Sequence, residues 1–362
     1  MPRRILGQSR QRARPQRGTR GTLLLALGGI LLFVVILLNL SAMSSLNDYN
    51  DLLALNHELA PPRNPAFEER NTHPVLQKAL IKTKGPGWDI TPSWFFNTKT
   101  PQDCQWQTFR ATSSETAQMC CHKGNDFLSR KIAKEGRYWH CDALVQLWKD
   151  STTKTKNSIY LDIGANIGSC VMEMLLSTDA NILAFEPHPV NGWLLQQTLS
   201  KLDPSLQRRV VLLPIGLGKE FATNKIYASQ RNMGNSVVGT IVKDFEWEKD
   251  SDFVPLDIVI EPLSNILSPQ VNIPLIKLDI QGFECEVLKG LTPELAANIA
   301  KIKFEVAPHW LLSHDCKDLY QYFTNLGFRV QNEETGQILE GGIAGERDME
   351  AIATNTKLLR IA

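Results

Sequence analysis

Acidic residues are missing from the first part of this 362-residue chain, where the first Asp or Glu is Asp48. Basic residues occur there only as seven arginines within residues 1–20, and residues 21–47 carry no charged side chain. The rest of the chain has 32 basic and 38 acidic residues, a net charge of −6. A mildly acidic body of this kind argues against a protein that binds nucleic acid.

The uncharged segment is long enough to cross a membrane. Residues 22–40 read TLLLALGGILLFVVILLNL, and a helix of this length, at ~1.5 Å per residue, spans roughly 28 Å. We therefore predict a transmembrane helix over residues 21–42, with residues 1–20 held in the cytosol by the positive-inside rule. A cleaved signal peptide is the alternative, because Ala42-Met43-Ser44 resembles a cleavage site. The expected topology is a single-pass type II protein of the secretory pathway, in the Golgi, with a lumenal catalytic body.

Three further segments follow the predicted membrane helix. Residues 43–103 are rich in proline and predict a stem. Residues 104–154 predict a cysteine-containing helical extension, and residues 155–362 predict the main domain. The sole N-x-S/T match is Asn39-Leu40-Ser41, at the membrane edge, so we expect no N-glycosylation.

Cysteines are few, seven in all, and four of them lie in the extension: Cys104, Cys120, Cys121 and Cys141. In an oxidising compartment this group predicts one or two disulfides, and we prefer a bond between Cys120 and Cys141. A zinc site that includes His122 and His140 is the alternative, although the spacing matches no common zinc finger.

Short apolar runs alternate with amphipathic ones after about residue 155. Strands are predicted at 159–163, 182–185, 210–214, 275–278, 302–306 and 328–330, and helices at 168–176, 190–202, 284–289 and 315–326. Alternating strands and helices predict an α/β fold with a doubly wound, mostly parallel sheet. A last apolar run at 358–361 is a candidate edge strand.

A glycine turn follows the first predicted strand, in the stretch IYLDIGANIGSC. Gly164 and Gly168 let the backbone close tightly over a ligand, but the G-x-G-x-x-G pattern of dinucleotide sites is absent. Asp162 stands two residues before the first glycine instead. Its carboxylate would repel a pyrophosphate and attract a cofactor that has an α-amino group.

A second acid follows the second strand, in LAFEP. A carboxylate such as Glu186 at that strand end accepts hydrogen bonds from a ribose diol. Together with the glycine turn, this acid favours S-adenosylmethionine over NAD. The turn PIGLG, which contains Gly216, follows the third strand and is predicted to pass near the adenine.

Asp279 ends a fourth strand in IKLDIQGFECEVLKG. Ligands of open α/β sheets bind at the carboxyl ends of the strands, so Asp279 is predicted to face a substrate. A structural role as the cap of the following turn is the alternative.

These strings resemble the FkbM family of S-adenosylmethionine-dependent methyltransferases, which act on hydroxyl groups of sugars and other metabolites. The resemblance covers residues 157–306 and is carried by LDIGANIG, FEP, PIGLG, GNSVV, KLDIQGFECEVLKG and KFEV. It implies a class I methyltransferase fold in which Asp162, Gly164, Asn166 and Glu186 hold the cofactor, to which we add Gly168 and Gly216. Gln281 departs from the family, which often has glutamate there, and this raises the prospect of an altered acceptor or weakened activity.

Methyl transfer requires a base that takes the proton of the acceptor hydroxyl. Asp279 is our candidate base, with Glu305 and His309 as alternates. A structural role in a surface loop is the alternative for His309. For Glu284 we expect helix capping or pairing with Lys289 rather than catalysis. The domain contains no metal-binding motif, which favours a metal-independent reaction, although Asp279 and Glu305 together suit an ion.

The sequence therefore predicts a membrane-anchored methyltransferase that methylates a glycan or a small hydroxyl compound. A glycosyltransferase is one rival, with Asp250-Ser251-Asp252 as its only D-x-D match. A binding protein that keeps the fold without catalysis is the other.

Overall fold

The computed structural model describes residues 72–80, 84–85, 88–89, 103–124, 126–229, 232–243, 249 and 253–358. The predicted cytosolic tail, the transmembrane helix at 21–42 and most of the stem lie outside these residues, as do the D-x-D match and residues 359–361. Within the described ranges, no helix combines the length and apolar character needed to cross a bilayer.

The secondary structure alternates between strands and helices over most of the described chain. The strands are β1 Lys84–Gly85, β2 Trp88–Asp89, β3 Gln105–Arg110, β4 Thr116–Cys121, β5 Ile159–Ile163, β6 Asn181–Phe185, β7 Val210–Leu213, β8 Gly216–Leu217, β9 Ala222–Ser229, β10 Asn232–Val238, β11 Phe253–Glu261, β12 Ile273–Leu278, β13 Ile299–Val306, β14 Phe328–Asn332 and β15 Met349–Asn355. The α-helices are α1 Pro74–Ala79, α2 Phe127–Glu135, α3 Asp142–Lys149, α4 Ser169–Ser177, α5 Pro189–Ser200, α6 Pro204–Gln207, α7 Glu284–Lys289, α8 Pro293–Ala296, α9 Pro308–Ser313 and α10 Leu319–Asn325. Short 3₁₀ helices cover Trp139–Cys141 and Leu263–Asn265. The six strands and four helices predicted from the sequence all occur, with ends that differ by a few residues.

A seven-stranded sheet forms the centre of the main domain, in the order β14-β15-β13-β12-β5-β6-β7. Pairing is parallel from β13 through β7, whereas β15 is antiparallel to both β13 and β14. This arrangement confirms the doubly wound, mostly parallel sheet. Among the described residues, the last strand is β15, which lies between β13 and β14; the predicted edge strand at 358–361 falls almost wholly outside those residues.

The two faces of the sheet bury separate apolar clusters. Along β5, Ile159, Leu161 and Ile163 pack into one cluster, while Tyr160 packs into the other. Every residue of β5 and β6 is buried, as expected for parallel strands covered by helices on both faces. Period-two alternation places Asp162 on the same face as Tyr160.

A second sheet, in the order β10-β9-β11-β8, was not predicted from the sequence. Strands β9 and β11 pair antiparallel along their length, and β8 adds to β11 in parallel. Strand β10 pairs with β9, with a shift in register between Asn232 and Val237. This sheet contributes residues from β8 and β10 to the cavity described below.

The cysteine-containing extension begins with a hairpin, β3–β4, and its second half contains the expected helices α2 and α3. The preferred Cys120–Cys141 disulfide is wrong: Cys104 bonds to Cys120, and Cys141 bonds to Cys170 in α4. The hairpin is the reason, because its register sets Cys120 opposite Trp106, beside Cys104. A third disulfide joins Cys285 to Cys316, and Cys121 is a buried free thiol.

Candidate active site

A cavity of about 420 Å³ opens at the carboxyl ends of β5, β6, β12 and β13. The chain runs from β5 to β6 and β7 on one side, and returns on the other side of β5 as β12. Open α/β sheets bind ligands at such a reversal of strand order. A cavity of this size accommodates a nucleoside-sized molecule.

One part of the cavity, called here the glycine end, is formed by Gly164, Asn166, Glu186 and Gly216. The amides of Gly164 and Ala165 both donate to the carbonyl of Phe185, at 3.1 and 2.9 Å. Gly164 has φ of +82°, and a Cβ there would lie 2.0 Å from the carbonyl oxygen of Asp279. Glycine is therefore required for both the backbone conformation and the close approach of the turn to the end of β12.

The second glycine of the motif serves packing. Gly168 has φ of +91°, and a Cβ there would lie 2.2 Å from Cδ1 of Leu195 in α5. It is absent from the cavity lining. Its contribution to a ligand site is therefore indirect, through the position of α4.

Glu186 is buried at the end of β6 and accepts two backbone hydrogen bonds. Its Oε2 accepts from the amide of Asn166 at 2.7 Å, and its Oε1 accepts from the amide of His188 at 2.8 Å. Burial raises its pKa to about 7, against the effect of these two amides. Each carboxylate oxygen has a second lone pair, so the side chain retains the capacity to accept from a ribose hydroxyl.

Asp162 lies behind the cavity wall and outside its lining. It is fully buried, 3.5 Å from the Nζ atom of Lys277, and accepts a 3.4 Å hydrogen bond from the hydroxyl of Tyr160. Burial raises the pKa of Asp162. Lys277 also donates to the carbonyl of Gly164 at 2.9 Å. The acid of the motif thus supports the glycine turn through Lys277.

Lys277 links the two parts of the cavity. Its Nζ atom is 3.3 Å from Oδ2 of Asp279, in addition to its contacts with Asp162 and Gly164. Burial opposes its charge, but the nearby carboxylates of Asp279 and Asp162 raise its pKa above the ordinary value. Lys277 therefore remains an ammonium group inside the site.

The other part of the cavity, called here the carboxylate end, contains Asp279, Gln281, Glu305, His309 and Glu350. The side-chain amide of Gln281 donates to Oδ1 of Asp279 at 2.9 Å and lies 3.5 Å from Oε2 of Glu305. Burial, followed by the charges of Asp279 and Glu350, raises the pKa of Glu305 to about 8. A glutamate in place of Gln281 would add a further negative charge between two acids, whereas the amide donates to them.

His309 occupies the rim of the carboxylate end. Its side chain is 46% exposed, and its Nδ1 atom is 3.8 Å from Oδ1 of Asp348. Glu284 lies outside the lining and accepts a hydrogen bond from the amide of Ile280 at 3.1 Å. Lys289 pairs with Glu286, not with Glu284, so capping of the turn before α7 is the role that the contacts of Glu284 support.

The cavity residues that were not predicted as site residues include Lys277 and a second group at the carboxylate end, Tyr138, His140, Lys303 and Glu350. Lys303 donates to Glu350 at 2.8 Å and also pairs with Glu333. His140 Nδ1 lies 3.3 Å from the other oxygen of Glu350. The extension and β15 thus meet at the carboxylate end. Lys303 belongs to the KFEV string. No motif marks Tyr138, His140 or Glu350, because their proximity to the site arises only from the folded chain.

The site suits S-adenosylmethionine in charge and hydrogen bonding. Its sulfonium is a cation, and Asp279 supplies negative charge at one end of the cavity, while Glu186 supplies acceptors at the other. Gly216 and the apolar side chains of Leu217, Ile260 and Phe283 line the remaining wall. In the described part of the chain, no group of three or more His, Cys, Asp or Glu side chains has the geometry to hold a metal ion.

The strand order and the position of the cavity define a class I methyltransferase fold. Residues 162–330 match the family model described as the methyltransferase FkbM domain, and S-adenosylmethionine is the cofactor of that domain, as the motifs predicted. A curated relative is methyltransferase sdnD of Sordaria araneosa, 30% identical over 169 residues, which cover 40% of this chain and 64% of the relative. This chain thus spans less than two thirds of that relative's length.

Solved structures with a similar chain include three methyltransferases. Magnesium protoporphyrin IX methyltransferase of Synechocystis PCC 6803, with bound SAM, has 10% identity and a TM-score of 0.35 over 64% of this chain and 84% of its own. A SAM-dependent O-methyltransferase of Thermotoga maritima has 10% identity and a TM-score of 0.30, and the match covers 68% of this chain and 77% of that protein. Precorrin-6y C5,15-methyltransferase of Geobacter metallireducens has 13% identity and a TM-score of 0.29, and the match covers 59% of this chain and 88% of that protein.

Proposed function

We propose that the protein is an S-adenosylmethionine-dependent methyltransferase that methylates a hydroxyl group of a glycan or a small metabolite. The observation that carries the proposal is the continuity of the cavity, which joins the glycine end to the carboxylate end. A cofactor in the first part would present its methyl group to an acceptor in the second. Positioning of the two reactants is the main requirement of this reaction.

Glu305 is the residue best suited to accept the proton of the acceptor hydroxyl. When bound, the cofactor supplies an electrophilic methyl group on a sulfonium. The raised pKa of Glu305, about 8, lies near the operating pH, as general base catalysis favours. Asp279, the first candidate from the sequence, is engaged by Lys277 and by Gln281. We therefore assign Asp279 to electrostatic support and Glu305 to proton transfer, with His309 as the alternate at the rim.

The expected location is the secretory pathway, with the catalytic domain in the Golgi lumen and residues 21–42 as the membrane anchor. Three disulfides among the described residues support an oxidising compartment. The arginines of residues 1–20 support the type II orientation. Protease protection of the C-terminal domain in intact microsomes is the expected result, and digestion without detergent would contradict it.

Binding and transfer assays together test the proposed activity. Calorimetry should show micromolar binding of S-adenosylhomocysteine, and a radiolabelled methyl donor should label hydroxyl acceptors in a panel of free glycans and small hydroxyl compounds. Binding without transfer to any acceptor would favour the non-catalytic rival. Binding of a UDP-sugar without binding of the nucleoside would favour a glycosyltransferase and refute the proposal.

A further inference from the structure

Strand β10 carries the one string of the family resemblance to which the site described above assigns no role, GNSVV at residues 234–238. Its register with β9 shifts between Asn232 and Val237, so residues 233–236 bulge away from the regular ladder. Bulges beside active sites redirect backbone and side chains. Asn232, Gly234, Asn235 and Ser236 all line the cavity.

The bulge is held by buried polar groups outside its own sheet. The amide of Met233 donates to Oδ1 of Asp126 at 3.1 Å, and its carbonyl accepts from Nδ2 of Asn191 at 3.2 Å. Asp126 also caps α2 through the amide of Ser129, and Asn191 Oδ1 lies 2.8 Å from Nε2 of His122. Asp126 and Asn191 are 3% and 2% exposed. Anchors this well buried fix the backbone of the bulge from both sides.

The bulge faces the glycine turn across the cavity. A Cβ on Gly234 would lie 2.9 Å from Nδ2 of Asn166. Asn166 has φ of +53°, and its amide donates to Glu186. Gly234 thus packs against Asn166, whose backbone amide connects the glycine turn to Glu186, the expected ribose-binding acid. A side chain at position 234 would therefore displace the side-chain amide of Asn166 from its place in the wall of the cavity.

We infer that residues 233–236 form a cofactor-binding loop, and that Gly234 sets the width of the nucleoside slot between this loop and Asn166. The inference rests on the proposed function, since it assigns the slot to an adenosyl group. The loop supplies backbone and amide groups near the ribose, where hydroxyl groups need partners. It also gives the extension a role, because Asp126 belongs to the extension and holds the loop in place.

The test is the affinity for S-adenosylhomocysteine, measured by calorimetry on the full-length protein. Gly234→Ala should weaken binding by about tenfold to a hundredfold, the effect expected when an added methyl group displaces the Asn166 side chain within the packed wall of the site. Gly234 has a negative φ, so alanine adds no backbone strain. Gly342→Ala is the matched control, because that glycine also lacks a positive φ and its nearest neighbour would be 3.4 Å away.

A double-mutant cycle isolates the contact with Asn166. In an Asn166→Gly background, which keeps the left-handed backbone and removes the side chain, Gly234→Ala should weaken binding by less than threefold. An equal loss in both backgrounds would overturn the assigned contact. Wild-type affinity in Gly234→Ala would overturn the inference, whereas absence of binding by the wild-type protein would instead remove the proposed function.

Hydrogen exchange provides a measurement that needs no variant. Amides of residues 232–238 should exchange more slowly in wild-type protein when S-adenosylhomocysteine is bound, as those of the glycine turn should. Unchanged exchange in β10 beside slowed exchange at 164–168 would show that the nucleoside binds without contact to the loop, and would contradict the inference even if Gly234→Ala failed to fold.

Discussion

The glycine end and the carboxylate end of the cavity are held together by different kinds of contact. At the glycine end, backbone amides of Gly164, Ala165 and Asn166 bond to groups only about twenty residues further along the chain. At the carboxylate end, side chains meet from distant parts of the sequence, and His140 and Glu350 are 210 positions apart. The first part therefore depends on local backbone geometry, and the second on the whole fold. Substitutions should affect the two parts in correspondingly different ways.

The largest effect is expected from Gly164→Ala. The new Cβ would lie 2.0 Å from the carbonyl oxygen of Asp279, which is an overlap, and the alanine would have to adopt a φ of +82°. Because the obstacle is backbone, it cannot rotate away. We expect loss of measurable S-adenosylhomocysteine binding and a clearly lower melting temperature, read by calorimetry and thermal unfolding.

Gly345→Ala separates the effect of a positive φ from the effect of the steric overlap. Gly345 has a similar φ of +86°, but a Cβ there would meet nothing within 4 Å. It should therefore cost only the backbone strain, about 1–2 kcal/mol, and leave binding intact. If Gly164→Ala behaved like Gly345→Ala, the close approach of the turn to β12 would be irrelevant to the site.

The next largest effect should come from Glu305→Gln at the carboxylate end. Removal of a general base lowers kcat by about 10²–10⁴-fold, while S-adenosylhomocysteine affinity should stay within a few-fold of wild type. Initial rates on an acceptor from the panel, with calorimetry alongside, measure both. The wild-type rate should rise with pH through about 8, because Glu305 must lose its proton to act. Asp279→Asn tests the assignment: a larger loss of kcat there than in Glu305→Gln would reverse the two roles.

The local character of the glycine end explains why its motif was readable. Its strands are uninterrupted apolar runs, and Gly164, Asn166 and Glu186 follow them directly. The second sheet was missed because the first half of β9 has no buried position and includes polar residues such as Asn224 and Lys225. Its identity as a strand depends on the pairing with β11 rather than on its own composition.

The contacts between distant residues that form the carboxylate end and the disulfides could not be predicted from the sequence. Glu350 gains its role from the insertion of β15 between β13 and β14. Cys170 was treated as separate from the cysteines of the extension, but α4 places it beside Cys141. In each case the partner is chosen by topology, on which residue spacing carries no information.

Glu186→Gln should have an intermediate effect, confined to the glycine end. The two amides that now meet carboxylate oxygens would compete for a single carbonyl, and one donor would face an NH₂ group. Loss of such a buried pairing costs about 1–3 kcal/mol, which corresponds to roughly 5–150-fold weaker S-adenosylhomocysteine binding. Glu294→Ala, at an exposed position in α8, is the control. Unchanged affinity in Glu186→Gln would remove that residue from the site.

The last effect is on folding stability rather than on binding or rate, and it is tested with Glu284→Gln, at a buried acid outside the lining of the cavity. Burial raises the pKa of Glu284 from 4.5 to about 7, so the folded protein holds this proton more tightly than the unfolded chain does. Its stabilising contribution is therefore fully present below about pH 4.5 and is lost as the pH rises through about 7. Glutamine does not titrate, so the variant should gain about 2–3 kcal/mol relative to wild type between pH ~5 and pH ~8.5. Urea unfolding at both pH values measures this difference, and a difference independent of pH would mean that Glu284 is as well solvated in the folded protein as in the unfolded chain.

The same variant should lower the pH at which the rate rises, because Glu284 is one of the acids that raise the pKa of Glu305.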